Sequence, residues 1–319
     1  MTANADMPAK AAAERPILAA IAAAGAGILV GFAIVATRFV IDQTTPISLA
    51  LLRYVIGVLC LLPPVLMTAR IRIAPRDLLP ISLLGIGQFG VLVAVLNYGL
   101  QFVPAARGAL IFATFPLLTM LLAAALRSET LTLFKSLGVL LTIVGVGFAL
   151  GDKALVSGDA EGGWLGEIAV FASALCGALC SVFYRPYLQK YPPLPLSAFA
   201  MFASVLFLAV LAGFEGFFDQ VPRFTIGGWL AVLFIGANSG LGYFLWLWAL
   251  KHTTPTKVTV FLALSPITAT VAGAALLGET ITLLFLIGLG TVAAGLWVAH
   301  WRPARRSGHT GFEPPQPPR

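Results

Sequence analysis

Long stretches without charge constrain this chain more than any other feature. Between residues 17 and 37 it carries no charged side chain, and apolar runs of similar length follow one another to about residue 301. Only 10% of its residues are charged, whereas about a quarter are charged in an ordinary soluble domain. A run of roughly 20 apolar residues crosses a bilayer as a helix, which satisfies its own backbone hydrogen bonds. The sequence therefore predicts an all-α integral membrane protein.

Hydropathy predicts ten transmembrane spans, five in each half of the chain. They cover approximately residues 17–38, 46–68, 77–102, 104–126, 132–150, 164–188, 194–215, 225–251, 254–277 and 281–301. The first repeat thus occupies residues 17–150 and the second residues 164–301. Residues 151–163, which contain four glycines, form the predicted external linker. Residues 1–16 and the Pro-, Gly- and Arg-rich residues 302–319 form predicted tails, and the second tail is expected to be disordered.

The two halves contain an internal repeat. Residues 98–149 and 248–299 align at an offset of 150 without a gap, so that Pro116 matches Pro266 and Glu129 matches Glu279. In the densest stretch, AALRSETLT matches AALLGETIT at six of nine positions. Repeats built from apolar spans are typical of secondary transporters. Because five spans per half is an odd number, the second copy enters the membrane from the opposite face, and the sequence predicts an inverted repeat.

The distribution of Lys and Arg predicts the orientation in the membrane. With a cytoplasmic N-terminus, fifteen Lys and Arg residues lie on the cytoplasmic side, four lie outside, and Arg53 lies within the second span. This asymmetry follows the positive-inside rule and predicts that both termini are cytoplasmic. The net charge of +7 therefore reports orientation, and no nucleic-acid partner is expected.

Polar side chains near the middle of the predicted spans are the first candidates for a substrate site, because polar groups are costly there. Gln88 and Asn238, again 150 residues apart, both fall near the bilayer midplane. Each amide either lines the central path or hydrogen-bonds a neighbouring helix. Pro116 and Pro266 fall at similar depth and predict helix kinks, which serve either the transport path or packing alone.

Charged and aromatic side chains add further candidates. Arg53 either reaches towards the external headgroups or faces the cavity and attracts a carboxylate or phosphate. Tyr98, Tyr243 and Trp246 could stack on a substrate, although core packing is the alternative for these rings. Arg107, near the external end of the fourth span, is expected to border the mouth.

The carboxylates give little support for a proton-coupled mechanism. Glu167 is the only one placed within a span, about one turn from its end, and we assign it no obligatory proton transfer. Glu129 and Glu279 are expected to stabilise the starts of the fifth and tenth spans, where a carboxylate is favourable near the free backbone amides. The sequence shows no motif for catalysis, and neither a metal site nor a cofactor is predicted.

The repeated residues resemble those of a known family. Each half has a mid-helix Pro, a Glu thirteen residues later and two glycines in the next span, which are Gly138 and Gly145 or Gly288 and Gly295. Together with Pro46, Arg53 and the stretch GEIAVFASAL, this pattern resembles the EamA-type carriers of the drug/metabolite transporter superfamily. The resemblance covers about residues 17–301 and implies export of amino acids, other metabolites or toxic compounds from bacterial cytoplasm by alternating access. The Glu in the first span that smaller four-span relatives require is absent here, so their proton exchange does not carry over.

The resulting hypothesis is a multi-pass carrier of the bacterial inner membrane that moves a small organic metabolite or drug outward. Its expected partners are a small-molecule substrate and the lipid bilayer. The alternatives are a non-transporting membrane sensor, an enzyme acting on lipid, and a flippase for lipid-linked sugars. A lateral opening lined with Arg would favour the flippase.

Overall fold

The protein is described by a computed structural model over most of its length. The described residues are 7–67, 73–127, 132–156, 164–219, 222–252 and 261–300. Within these ranges all regular structure is helical. The expectations for Glu129, for the tail 302–319 and for most of the linker lie outside them. The part of the linker that is described, residues 151–156, continues a helix.

The α-helices are labelled in chain order. They are α1 (Met7–Val40), α2 (Pro46–Leu66), α3 (Pro75–Gly85), α4 (Leu92–Gly99), α5 (Ala105–Phe112), α6 (Phe115–Ala125), α7 (Leu133–Val156), α8 (Leu165–Lys190), α9 (Pro193–Phe214), α10 (Ile226–His252), α11 (Leu264–Leu277) and α12 (Leu283–His300). A π-helical segment, Ile86–Val91, joins α3 to α4. Short 3-10 segments, Ile41–Gln43 and Phe261–Ala263, follow α1 and precede α11.

Seven of the described helical segments are long and apolar enough to cross a membrane. They are Ile17–Gln43, Pro46–Leu66, Pro75–Gly99, Ala105–Ala125, Leu165–Lys190, Pro193–Phe214 and Ile226–Trp246. Three shorter apolar helices are Leu133–Phe148, Leu264–Leu277 and Leu283–Val298. Large apolar side chains such as Leu66, Phe214 and Leu230 are exposed, as expected where lipid is the solvent. The prediction of a multi-pass membrane protein is therefore confirmed.

Local sequence signals explain where several helices begin and end. The side chain of Thr45 accepts a hydrogen bond from the backbone N–H of Ser48, and Pro46 occupies the first turn of α2, where its missing N–H costs nothing. The helix α1 begins at Met7, ten residues before the predicted start of the first span, because the Ala-rich residues there favour helix.

The two halves pack against each other throughout the bundle. We define the first half as residues 7–156 and the second half as residues 164–300. The helix α1 packs against α10 and α11, while α8 packs against α4 and α6 in the corresponding arrangement. The helix α9 packs against both α2 and α3. A buried core between α2, α9 and the π segment contains Tyr54, Phe89 and Met201.

The contact between α7 and α12 is reciprocal and antiparallel. A Cβ atom added to Gly145 would lie 2.7 Å from the carbonyl oxygen of Gly288, and one added to Gly295 would lie 2.8 Å from that of Gly138. These four glycines are two pairs separated by the 150-residue offset. Because the earlier glycine of one helix meets the later glycine of the other, the helices run in opposite directions. Reciprocal contact between equivalent residues is the pattern that a local two-fold axis produces.

Candidate functional site

Arg53 reaches into the bundle instead of towards the nearer end of its helix. The helices α2 and α10 start together, because the side-chain oxygen of Gln43 accepts a hydrogen bond from the backbone N–H of Thr225 at 2.9 Å. Gln43 and Thr225 are 182 positions apart in the sequence. Further along both helices, Ile56 contacts Gly236 at nearly the same separation, so the two helices are parallel. Arg53 Nε donates to Ser239 Oγ at 2.6 Å, a separation of 186 positions. The guanidinium of Arg53 therefore contacts α10 about one helical turn further from the helix start than the residue directly opposite Arg53. This direction is unusual, because helical side chains normally lean towards the N-terminus.

Aromatic rings from both halves surround this part of the bundle. The rings of Tyr54 and Phe89 meet edge to face with centroids 5.5 Å apart, and those of Phe89 and Tyr243 are 5.4 Å apart in the same geometry. The Arg53 guanidinium carbon lies 5.7 Å from the centroid of Tyr54, within cation–π range. Ser197 Oγ donates to the hydroxyl of Tyr243 at 3.3 Å. Side chains from α2, the π segment, α9 and α10 thus form one cluster.

A buried hydroxyl without a partner belongs to the same cluster. Tyr184, on α8, is only 6% exposed and packs in the core that contains Tyr54 and Phe89. Its oxygen has no hydrogen-bond partner within the described part of the chain. Buried polar groups are nearly always satisfied, so this hydroxyl is a candidate contact for a ligand. We define the central site as Arg53, Tyr54, Phe89, Tyr184, Ser197, Ser239 and Tyr243.

The two predicted amides differ in their surroundings. Gln88 is half-buried within the π segment, directly before Phe89 of the central site. π-Helical turns often occur at functional sites because they widen the helix locally. Asn238 is buried, and its Nδ2 donates to the backbone oxygen of Leu29 at 2.9 Å, which joins α10 to α1. The Gln88 side chain makes no hydrogen bond within the described part of the chain, whereas Asn238 uses its Nδ2 and leaves its buried Oδ1 without a partner there.

Two of the predicted aromatic residues lie outside the central site. Tyr98 is 39% exposed and packs edge to face against Phe102, with ring centroids 5.3 Å apart. Trp246 packs against the small residues Ala22 and Ala23 of α1. The structure therefore brings together Arg53, Tyr243 and the π segment of Gln88, but not these two rings.

Both predicted prolines follow an interruption of helical geometry. The α-helical pattern stops after Phe112 and resumes at Phe115, so that Pro116 lies in the first turn of α6. Pro266 lies near the start of α11, which follows the 3-10 segment Phe261–Ala263. Both prolines are buried. The interruptions are thus found at equivalent positions of the two halves.

Polar contacts between the halves occur at both ends of the bundle. At one end, Arg107 Nη1 lies 3.6 Å from Glu167 Oε1, with side chains 15% and 5% exposed, so the structure pairs Arg107 with a buried carboxylate. At the other end, Asp77 forms an ion pair with Lys190. The hydroxyl of Tyr191 also donates to Asp77 Oδ2 at 2.5 Å. Each contact connects α3 or α5 of the first half to α8 of the second or to Tyr191, which directly follows α8.

The structure corrects the expected role of Glu279. Its carboxylate accepts hydrogen bonds from the backbone N–H groups of Ala105 at 2.5 Å and Ala106 at 3.0 Å. It therefore stabilises the start of α5 in the first half, and not the start of α12 that follows it in sequence. A carboxylate is favourable beside the free backbone N–H groups of a helix start, as expected, but the helix is α5 and not α12.

An apolar groove of about 500 Å³ lies between α1, α2 and α10. Its lining residues are Leu29, Cys60, Leu61, Pro64, Phe234, Ala237, Asn238, Gly240, Leu241 and Phe244. Phe234, Leu241 and Phe244 are exposed on the face opposite Ser239. Among the described residues, no cluster of three or more His, Cys, Asp and Glu side chains could hold a metal ion.

Sequence reasoning overlooked most of the central site. Tyr54, Phe89 and Ser239 directly follow Arg53, Gln88 and Asn238, so their depth in the span was known. The depth of a residue in its span does not tell which face of the helix contacts neighbouring helices. Aromatic rings are also common throughout apolar spans, so the sequence did not indicate that these rings lie together. Tyr184 carried a usable signal, because it is a hydroxyl close to an otherwise apolar helix interior.

Known proteins with similar sequences share both halves of the chain. Residues 17–151 and 164–301 match the EamA-like transporter family. An "uncharacterized transporter" of Archaeoglobus fulgidus is 26% identical over 84% of this chain and 93% of its own length. A "probable terminal-alkyne amino-acid exporter" of Streptantibioticus cattleyicolor is 28% identical over 72% of this chain and 76% of its own length. A "probable amino-acid metabolite efflux pump" of Salmonella typhimurium is 25% identical over 84% and 90% respectively.

A solved structure supports the fold. A protein known from a crystal structure has a TM-score of 0.65 and 21% sequence identity, with coverage of 88% of this chain and 96% of that one. The family match includes both halves and most of the chain. The chain therefore belongs to the EamA-like transporter family and is a membrane transporter, as its repeated Pro and Glu residues indicated.

Proposed function

We propose that this transporter is a secondary carrier that exports a small organic metabolite, such as an amino acid or a related compound, or a drug. The substrate binds at the central site and reaches the two sides of the membrane alternately. The observation that carries this proposal is the central site itself, where Arg53 and a group of tyrosines from both halves meet inside an apolar bundle. The names of two relatives, an amino-acid exporter and an amino-acid metabolite efflux pump, support the direction and the substrate class.

We propose further that the chain forms ten spans in two inverted repeats, residues 17–150 and 164–301. The seven long helices and the three shorter apolar ones account for this number. The antiparallel contact between Gly145 and Gly288 and between Gly295 and Gly138 is what inverted repeats predict. Alternating access would then rock one half against the other, and the contacts at Asp77 and at Arg107 would open in turn.

Other functions have less support from the described residues. A lipid-linked sugar flippase would favour a lateral opening lined with Arg, whereas the groove on α10 is lined by apolar side chains and one amide. A sensor or a lipid-acting enzyme would not require cationic and aromatic side chains from both halves at one central point. A measurement of solute flux into liposomes distinguishes the carrier from a sensor or an enzyme, since only a carrier gives saturable flux.

Flux across liposome membranes tests the proposed function. Protein in liposomes preloaded with unlabelled amino acids, organic acids or ethidium is expected to accumulate the labelled form of at least one of them in a saturable manner. Gln88→Leu should weaken this substrate's binding, because a lost hydrogen bond is worth on the order of 1 kcal/mol. The melting temperature of this variant should stay near that of the wild type, since the Gln88 side chain makes no hydrogen bond within the described part of the chain.

Asn238→Leu is the matched variant at the equivalent position. It removes the hydrogen bond to Leu29, so we expect it to lower the melting temperature and to alter binding less than Gln88→Leu does. Non-saturable permeation by all three solute classes, equal to that of empty liposomes, would contradict the carrier. Unchanged affinity in Gln88→Leu would remove this amide from the substrate path.

We also propose that the protein lies in the bacterial inner membrane with both termini in the cytoplasm. Reporter fusions after residue 75 and after residue 302 should both report cytoplasm, and a fusion at residue 157 should report periplasm. The physical reason is the fifteen-to-four distribution of Lys and Arg between the two sides. Fusions that place the C-terminus outside would contradict the inverted repeat.

A further inference from the structure

We infer that the transported solute carries a single carboxylate, and that the Arg53 guanidinium binds it at the central site. The inference rests on the proposed function and makes it more specific. It names the charged group of the substrate and the side chain that recognises it. The solute, whether an amino acid or a related compound, otherwise presents apolar or aromatic surface to the rings of the central site.

The geometry of Arg53 leaves donors available inside the bundle. A guanidinium carries five N–H donors, and the Nε–H of Arg53 is used by Ser239. Within the described part of the chain, no carboxylate lies within 4 Å of Arg53, and no other hydrogen bond to it is formed. By contrast, Arg38 pairs with Asp42 and Arg107 with Glu167. A half-buried arginine inside an apolar bundle is stable when an anion completes its environment.

The bond to Ser239 and the neighbouring ring of Tyr54 locate the Arg53 guanidinium within the bundle. The bond holds Nε against α10, about one turn further from the shared start of α2 and α10 than Arg53 itself. The guanidinium carbon, which carries both terminal nitrogens, lies 5.7 Å from the centroid of the Tyr54 ring, so these donors lie beside the rings of the central site. Their planar arrangement matches the two oxygens of a carboxylate.

The charge and shape of the site favour a carboxylate over a phosphate. Arg53 supplies one positive charge, and the other residues of the central site are neutral aromatic and hydroxyl side chains. One cation balances the single charge of a carboxylate, whereas a phosphate monoester carries close to two negative charges at neutral pH. The rings of Tyr54, Phe89 and Tyr243 offer apolar surface for the body of the solute. The orphan hydroxyl of Tyr184 can donate to a polar atom of the solute.

Paired probes that differ only in charge test this inference. The purified full-length chain would be titrated with benzoate, hydrocinnamate and isocaproate, with the amide of each acid, and with phenyl phosphate, and binding followed by thermal shift. At least one acid should raise the melting temperature, while its amide and phenyl phosphate should do so only at much higher concentration. Arg53→Gln should weaken binding of that acid about 10-fold to 100-fold, which is the value of a charge-assisted hydrogen bond.

Two further variants keep the result interpretable. Arg53→Lys retains the charge but loses the planar pair of donors, so it should bind the acid more weakly than the wild type and more tightly than Arg53→Gln. Arg38→Gln removes an arginine of the same half whose partner is Asp42, and it should leave the titration unchanged. If Arg53→Gln does not fold, the inference is still tested by the affinities for the acid, which should be equal in the wild type and Arg38→Gln and weaker in Arg53→Lys.

Several outcomes would overturn the inference. Equal binding of an acid and its amide, tighter binding of phenyl phosphate than of every acid, or unchanged acid binding in Arg53→Gln would each do so. Saturable flux of a neutral or cationic solute in liposomes, without binding of any acid, would also overturn it while leaving the carrier intact. Absence of both acid binding and flux would reject the carrier as well.

Discussion

Joining Asp77 to Lys190 by an amide bond is expected to reduce transport to the level of empty liposomes. The carboxylate and the amine are in direct contact, and they connect the start of α3 in the first half to the end of α8 in the second. If the halves must separate here to admit solute, a covalent bond holds this end closed. Treating liposomes with a water-soluble carbodiimide forms the bond, and mass spectrometry of the joined peptides verifies it.

Lys190→Arg is the matched control for this experiment. Arginine retains the charge pair with Asp77, but carbodiimide does not couple its guanidinium to a carboxylate under the same conditions. The variant should therefore transport before treatment and continue to transport after it, apart from any loss caused by other modified carboxylates. Full flux in a wild-type sample that contains the joined peptides would show that the two halves do not separate at this end.

Gly145→Val and Gly295→Val are expected to destabilise the protein by similar amounts, each about 1–3 kcal/mol, as overpacked sites typically do. A Cβ added to Gly145 would lie 2.8 Å from the backbone nitrogen of Val292, and one added to Gly295 would lie 2.9 Å from that of Thr142. Backbone atoms of a packed helix pair cannot move aside singly, so α7 and α12 would have to separate. Melting temperature and the yield of monodisperse protein in detergent measure the effect.

Gly147→Val and Gly290→Val provide the comparison, since a Cβ at either position would meet nothing within 4 Å. The same change of residue type on the same two helices should then leave the melting temperature within a few degrees of the wild type. Equal losses in all four variants would indicate that valine itself, and not the close approach of the helices, causes the effect. Unequal losses in Gly145→Val and Gly295→Val would argue against the local two-fold relation.

Neighbouring residues illustrate how far the sequence could predict the site. Tyr98 was chosen for its depth and aromatic ring, yet it is exposed, whereas Asn97 is buried and its Nδ2 donates to the backbone oxygen of Pro46 at 3.0 Å. One residue along a helix turns the side chain by about 100° at almost the same depth. Hydropathy is nearly uniform around these helices, so it gave no indication of the face. The same limit hid Tyr54 beside Arg53 and Phe89 beside Gln88.

Glu279 shows the same limit for contacts between distant segments. Its sequence position beside a helix start predicted the right chemistry, a carboxylate on free backbone amides, but the carboxylate accepts from the amides of α5. Arg107 and Glu167, sixty residues apart, were likewise assigned separate roles before the structure paired them. Contacts of this kind depend on which helices become neighbours, and that is decided by packing between the halves.

The amino-acid sequence by itself determined the membrane environment, the repeat and the positions of the paired prolines. These follow from the length of apolar runs and from local backbone chemistry, which need no knowledge of neighbouring helices. The tertiary structure alone decided which side chains form the central site and which charges meet across the halves. Helices in lipid are apolar on all sides, so their facing surfaces are set by close packing of small residues and by scattered hydrogen bonds. Those interactions become defined only when both partners are in place.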